Sequence, residues 1–140
     1  FTPVYLFQLR NKRMKKTQFE IEYLFKASPT IIYTFITTPT CLIRWFCEEA
    51  DVDNDLFTFK WKDSEETAIL VDDYEDELLR FRWEDAVADN EFLEFHIETS
   101  PVTEETILRI IGWAEPSEHQ YQVDFWNNQM KALKKAMGEN

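Results

Sequence analysis

Apolar and polar side chains alternate from residue 18 to residue 26. Phe19, Ile21, Tyr23 and Phe25 fall on one side, and Glu20, Glu22 and Lys26 on the other. A period of two sends neighbouring side chains to opposite faces, so this stretch predicts a half-buried strand. The same pattern returns over residues 56–62, with Phe57, Phe59 and Trp61 opposite Thr58, Lys60 and Lys62. It recurs over 67–74, over 78–84 (Leu79, Phe81 and Trp83 against Arg80, Arg82 and Glu84), over 92–98 (Leu93, Phe95 and Ile97 against Glu94, His96 and Glu98), and over 105–113. A weaker strand is expected over 48–53.

Two departures from that period predict helices. Ser28 followed by Pro29 is an N-cap with proline at the first helical position. A short helix should run to about Ile36, burying Ile32, Phe35 and Ile36. Thr38 and Pro39 repeat the signal and open a second short helix through Leu42, Trp45 and Phe46. The last departure is the longest. From Ser117 to Met137 there is neither Gly nor Pro, and Val123, Trp126, Met130, Leu133 and Met137 recur at helical steps. Phe125, Gln129, Ala132 and Ala136 widen that stripe. Ser117 with Gln120 reads as a capping box. Gly138 reads as the left-handed stop, with Lys131, Lys134 and Lys135 placed to offset the helix dipole.

The fold class is therefore α+β: a strand, two short helices, about six more strands and a long terminal helix. Six or seven strands with one charged and one aromatic face form a curved antiparallel sheet. Its apolar face wraps the long helix, and the two short helices close one end. Lys60, Lys62, Arg80 and Arg82 can meet Glu94 and Glu98 across strands on the wet face.

Composition narrows the function classes. The formal net charge is −12, yet residues 1–17 carry five basic side chains and no acid, so the rest is strongly acidic. Such a surface argues against nucleic-acid binding, which needs a basic face. No apolar run approaches the length of a membrane span, so no membrane insertion is expected. Residues 1–16 are expected to be a poorly ordered leader, with residues 17–138 a single domain. Met14-Lys15-Lys16 reads as a natural start, with residues 1–13 as added sequence. Cys41 and Cys47 have no metal or redox spacing and are expected as buried free thiols of a cytoplasmic protein.

Catalytic and metal chemistry find little support. Asp51, Asp53 and Asp55 have the alternation of a calcium loop, but Leu56 stands where glycine is needed and Lys62 where glutamate is needed. His96 is expected exposed on the wet face, and His119 solvated in the first turn of the long helix. Two histidines apparently far apart, with no cysteine near either, make neither a zinc site nor a nucleophilic triad. No phosphate loop is possible with two glycines. No cofactor, no metal and no catalytic residue are assigned. A single inward carboxylate of raised pKa could do proton chemistry, though the sequence does not single one out.

The order of elements is that of the helix-grip fold, and the chain resembles the START-like, or SRPBCC, superfamily. The resemblance is carried by FEIEYLFKASPT at residues 19–30, Trp45-Phe46, LFTFKW at residues 56–61 and the helix over residues 123–138. Within the superfamily it is most similar to bacterial members of the heat-shock-chaperone ATPase activator branch. Many of those carry a glycine-rich turn where this chain has Asp53, Asn54 and Asp55. The resemblance implies a cavity between sheet and long helix, used across the superfamily for lipids, sterols and polyketides. Some relatives are cyclases or hydrolases, and others act through protein partners.

The candidate pocket residues are Tyr23, Phe57, Phe59, Trp61, Phe81, Trp83, Phe95, Trp126, Gln129 and Met130. Tyr74 and Asn128 are further polar candidates. These rings could equally fill the core and leave no cavity, since each buries roughly 150–250 Å². The leading expectation is non-enzymatic binding of an apolar, lipid-like or polyketide-like molecule. The alternative is a protein-interaction module of the chaperone-activator type, with a protein partner. A cyclase- or hydrolase-like enzyme is third.

Overall fold

The computed structural model describes residues 15–86, 88 and 90–139. The expectation of a leader therefore falls mainly outside the described residues. Lys16 lies within them and is held to Glu91 at 2.8 Å.

The elements follow the predicted order. β1 (Thr17–Phe25) leads into α1 (Pro29–Thr37) and α2 (Pro39–Leu42). Six strands follow: β2 (Glu49–Asp53), β3 (Leu56–Trp61), β4 (Ser64–Tyr74), β5 (Leu78–Trp83), β6 (Phe92–Thr99) and β7 (Thr106–Ala114). A 3-10 turn (Pro116–Glu118) then delivers the chain into α3 (His119–Ala136). The strands form one antiparallel sheet in the order β1-β7-β6-β5-β4-β3-β2. Consecutive strands are neighbours from β2 to β7, and β1 closes against the last of them. Both outer strands carry acids, Glu20 and Glu22 on β1 and Glu49, Asp51 and Asp53 on β2, which discourage edge-to-edge pairing. The three aspartates around the β2–β3 hairpin thus belong to a strand and a turn, where Asn54 takes φ 57°.

The inner face is as the alternation predicts. Leu79, Leu108 and Ile110 are wholly buried, and Trp126 of α3 sits among Phe46, Phe95 and Phe125 with ring centroids 5.2–6.1 Å apart. The outer face carries charge pairs. Arg80 bridges Asp72 and Glu94, and Arg109 reaches Glu98 at 2.8 Å. Exposed pairs of this kind contribute about 0–1 kcal/mol each and do not hold the fold.

Helix ends show one correction. Ser28 caps α1 as expected, its Oγ accepting from the Ile31 N–H at 3.3 Å. Ser117 does not cap α3, because it lies inside the 3-10 turn that Pro116 opens. The helix starts at His119 with no side-chain cap. His119 is accordingly not simply solvated: its Nε2 lies 3.0 Å from Thr17 Oγ1 and 3.1 Å from the Ala114 carbonyl, pinning the helix start to β1 and β7. The other end is as predicted. Gly138 takes φ 80°, its N–H donates to the Lys135 carbonyl and that of Glu139 to the Lys134 carbonyl, a Schellman ending. The Glu139 carboxylate then accepts from the backbone N–H groups of Lys26 and Ala27 at 2.9 and 2.8 Å, tying the C-terminus to the end of β1.

Cys41 and Cys47 are both free, and Cys47 is buried. Burial pushes the Cys47 thiol up to about 11, which leaves it unreactive at neutral pH.

Candidate functional site

The predicted pocket residues divide into three groups. Phe57, Phe59, Phe81, Phe95, Trp126 and Met130 are buried core. Trp61 and Trp83 are half-buried at the strand ends. The polar members have structural partners. Tyr23 Oη donates to Asn127 Oδ1 at 2.7 Å, and burial pushes its phenol up to about 12. Gln129 Nε2 and Trp61 Nε1 both donate to the Phe46 carbonyl, at 3.2 and 2.8 Å. Tyr74 and Asn128 are exposed, so neither can orient a molecule inside the fold.

Two spaces adjoin this group. The inner one, between the sheet and the α1–α2 unit, is a void of about 10 Å³ lined by Ile36, Phe46, Phe59, Ala68, Phe81 and Phe95 among others. That is room for at most one water, of the roughly 10–15 Å³ a water requires, so the aromatics largely fill the core. The second is a cleft of about 40 Å³ by the start of α3, open to solvent. Phe19, Gly112, Leu93 and Trp83 line it on its apolar side, with Asp85 and the Lys16–Glu91 ion pair among its polar lining. Trp83 and Leu93 line both spaces and form the partition between them.

Local sequence explains the cleft. Phe19 on β1 pairs with Gly112 on β7, and a Cβ at residue 112 would stand 2.5 Å from the Phe19 ring. Only glycine lets that ring lie flat across its neighbour, where it also meets the His119 ring edge-on at 6.1 Å. Trp83 is the last residue of β5, and its ring meets Phe59 at 6.0 Å.

Gln122 is the residue that sequence reasoning missed. It lines the cleft, is 2% exposed, and among the described residues its Oε1 has no hydrogen-bond partner. Its position was legible: residues 122, 126, 130 and 133 step along one helical face. Its polarity hid it. Trp126 Nε1, about 6 Å further along the axis, is likewise buried and unpartnered. Leaving such a group dry and unpaired costs about 1–3 kcal/mol.

Glu66 is the second missed residue. By alternation it shares the face of buried Ala68 and Leu70. Burial first, and the negative charge of Asp85 second, push its carboxyl up to about 7. It lines neither the void nor the cleft. His96 lies on the opposite face, 2.8 Å from Glu94. Among the described residues no cluster could hold a metal ion, and no helix is long and apolar enough to cross a membrane.

Comparison with known proteins agrees with this geometry. The chain matches the START-like superfamily domain over residues 13–139. No curated protein matches it. Among solved structures it is similar to BfR322 from Bacteroides fragilis, with 28% identity, TM-score 0.63 and coverage of 89% of this chain and 93% of that one. It is also similar to the Aha1 dimer from Colwellia psychrerythraea, with 18% identity, TM-score 0.73 and coverage of 86% and 95%. A third is the AHSA1-like protein from Aeromonas hydrophila, with 17% identity, TM-score 0.71 and coverage of 87% and 92%. The last two likenesses concern the fold alone.

Proposed function

This chain belongs to the START-like superfamily, and we propose that it binds a small apolar molecule, without catalysis, in the cleft between the sheet and the start of α3. The observation that carries the reading is the shared wall. A solvent-open cleft and an apolar void share Trp83 and Leu93 as walls, so the cleft lies directly against the aromatic core. The small volumes favour a ring-sized molecule over a long acyl chain, and even a ring must widen the cleft of about 40 Å³, since a cavity that holds benzene measures roughly 150 Å³. Catalysis is disfavoured because Glu66, the carboxyl of raised pKa, lines neither space, and the ring nitrogen of His119 beside Phe19 is already engaged.

Native mass spectrometry of the protein purified from its own host, followed by organic extraction, tests this reading. A retained apolar adduct of ring size is expected. A bare mass, with no uptake of an added apolar probe, would favour a second reading as a protein-docking module. The observation behind that reading is on the outer face, where Leu56 pairs with Ile69 across strands beside Val71, each about two-fifths exposed. The likeness to Aha1-type folds is consistent with it.

A further inference from the structure

We propose that Gln122 selects ligands that carry a hydrogen-bond donor on an aromatic ring, such as an N–H or a phenolic O–H. The inference rests on the ligand-cleft reading and adds the chemistry of what the cleft accepts.

The argument starts from what a buried amide requires. A buried polar atom is nearly always paired, because water has been removed and nothing replaces it. Among the described residues Gln122 Oε1 is buried and unpaired, on a helix whose other inward residues, Trp126, Met130 and Leu133, are apolar or aromatic. The charged groups of the cleft do not serve it. Lys16 is committed to Glu91, and Asp85, like Gln122 Oε1, can only accept when ionised. Among the described residues no side chain pairs with it, not even the equally unpaired Trp126 N–H one turn along, so the atom is open to a donor from a bound molecule.

The surroundings define the rest of the molecule. Phe19, lying flat over Gly112, and Trp83 give the cleft two aromatic surfaces. A planar ring fits such walls, and its edge then carries the donor to Gln122. The cleft lining holds more carboxylates than cations, and its one lysine is paired, which disfavours an anionic ligand. The class is a neutral planar aromatic with one N–H or O–H. Sites built to satisfy a ligand's polar group reject the analogue that lacks it far more strongly than apolar pockets reject a missing methylene.

The experiment compares three probes of one shape on the full chain. Indole offers an N–H donor, benzofuran an ether oxygen in its place, and indene neither. Each is titrated into 15N-labelled protein, following the backbone amides of Leu93, Gly112 and Gln122 and the Gln122 side-chain amide. Indole is expected to bind at least tenfold more tightly than benzofuran or indene, and to shift the Gln122 side-chain signal. Gln122→Leu should bring the three within threefold of one another, and Gln122→Met should do the same should the leucine variant not fold. Equal binding of all three to the wild-type cleft would overturn the donor inference while leaving the ligand reading intact. Tighter binding of benzofuran would also overturn it, since the amide would then be donating. If no probe perturbs the cleft at millimolar concentration, the ligand reading falls and the inference with it.

Discussion

Replacing Gln122 with leucine should make the free protein more stable, although it removes the most distinctive polar group of the cleft. Gln122 is 2% exposed and its Oε1 has no partner among the described residues, so the folded state carries the desolvation cost of that atom. Such costs are about 1–3 kcal/mol. Leucine has a similar volume, and its helix propensity is about equal to that of glutamine, so the backbone is indifferent to the change. The neighbouring Trp126 and Phe19 supply apolar contact for the new methyl groups. The expected gain is thus about 1–3 kcal/mol. For a domain of this size each kcal/mol moves the melting temperature by about 4 °C, so the midpoint should rise by about 4–12 °C. Differential scanning calorimetry and urea unfolding of both proteins, without ligand, measure it. A midpoint that falls by several degrees would refute the reasoning, because Gln122 would then be satisfied in the native state and not waiting for a partner.

Other perturbations probe the remaining parts of the account. Gly112→Ala should cost about 1–3 kcal/mol, as for other overpacked sites, because its Cβ would drive the Phe19 ring from its place; chemical denaturation gives the value, and a neutral result would mean the ring moves freely. Lys16→Met should cost about 1–3 kcal/mol by leaving the part-buried Glu91 carboxylate without its cation, which would show Lys16 to be part of the folded domain. Glu66 should make stability depend on pH. Its folded pKa of about 7 exceeds the unfolded carboxylate value, so the folded state binds the extra proton between the two. Stability is then highest below about pH 4.5 as far as this group is concerned, and is lost as pH rises through about 7. Melting curves across that range should show the decline, and Glu66→Gln should flatten it.

Much of the fold was legible because the sheet is half-wet. Strands with one charged and one aromatic face announce both their period and their orientation, as residues 56–62 and 78–84 did. Proline after Ser28 and Thr38 marked the two short helices, and Gly138 marked the end of α3. What misled was local competition. Ser117 looked like a cap, but Pro116 committed it to a 3-10 turn, and His119 took over the anchoring of the helix. β4 begins at Ser64 rather than at Thr67 because the hairpin after Trp61 needs only two residues, so Glu65 and Glu66 are strand residues despite their charge.

The site was harder to read for a related reason. Phe59, Phe81, Trp83 and Phe95 were found by alternation, and the structure brings them around one small void. Tyr23, Trp61 and Gln129 were chosen for their polar ends, yet those ends bind Asn127 and the Phe46 carbonyl. Periodicity says which side chains face inward but not which polar atoms remain unpaired. Gln122 and Glu66 are polar residues on apolar faces, where sequence patterns assign them to solvent.

The central claim, that a ring-sized molecule is held in the cleft between Phe19, Trp83 and the start of α3, is tested most directly by intermolecular nuclear Overhauser effects from bound indole. The account predicts contacts from the indole protons to the Leu93 methyl groups, the Phe19 ring and the Gly112 α-protons. Contacts confined to Leu56, Ile69 and Val71 on the outer face, or none at saturating indole, would contradict it.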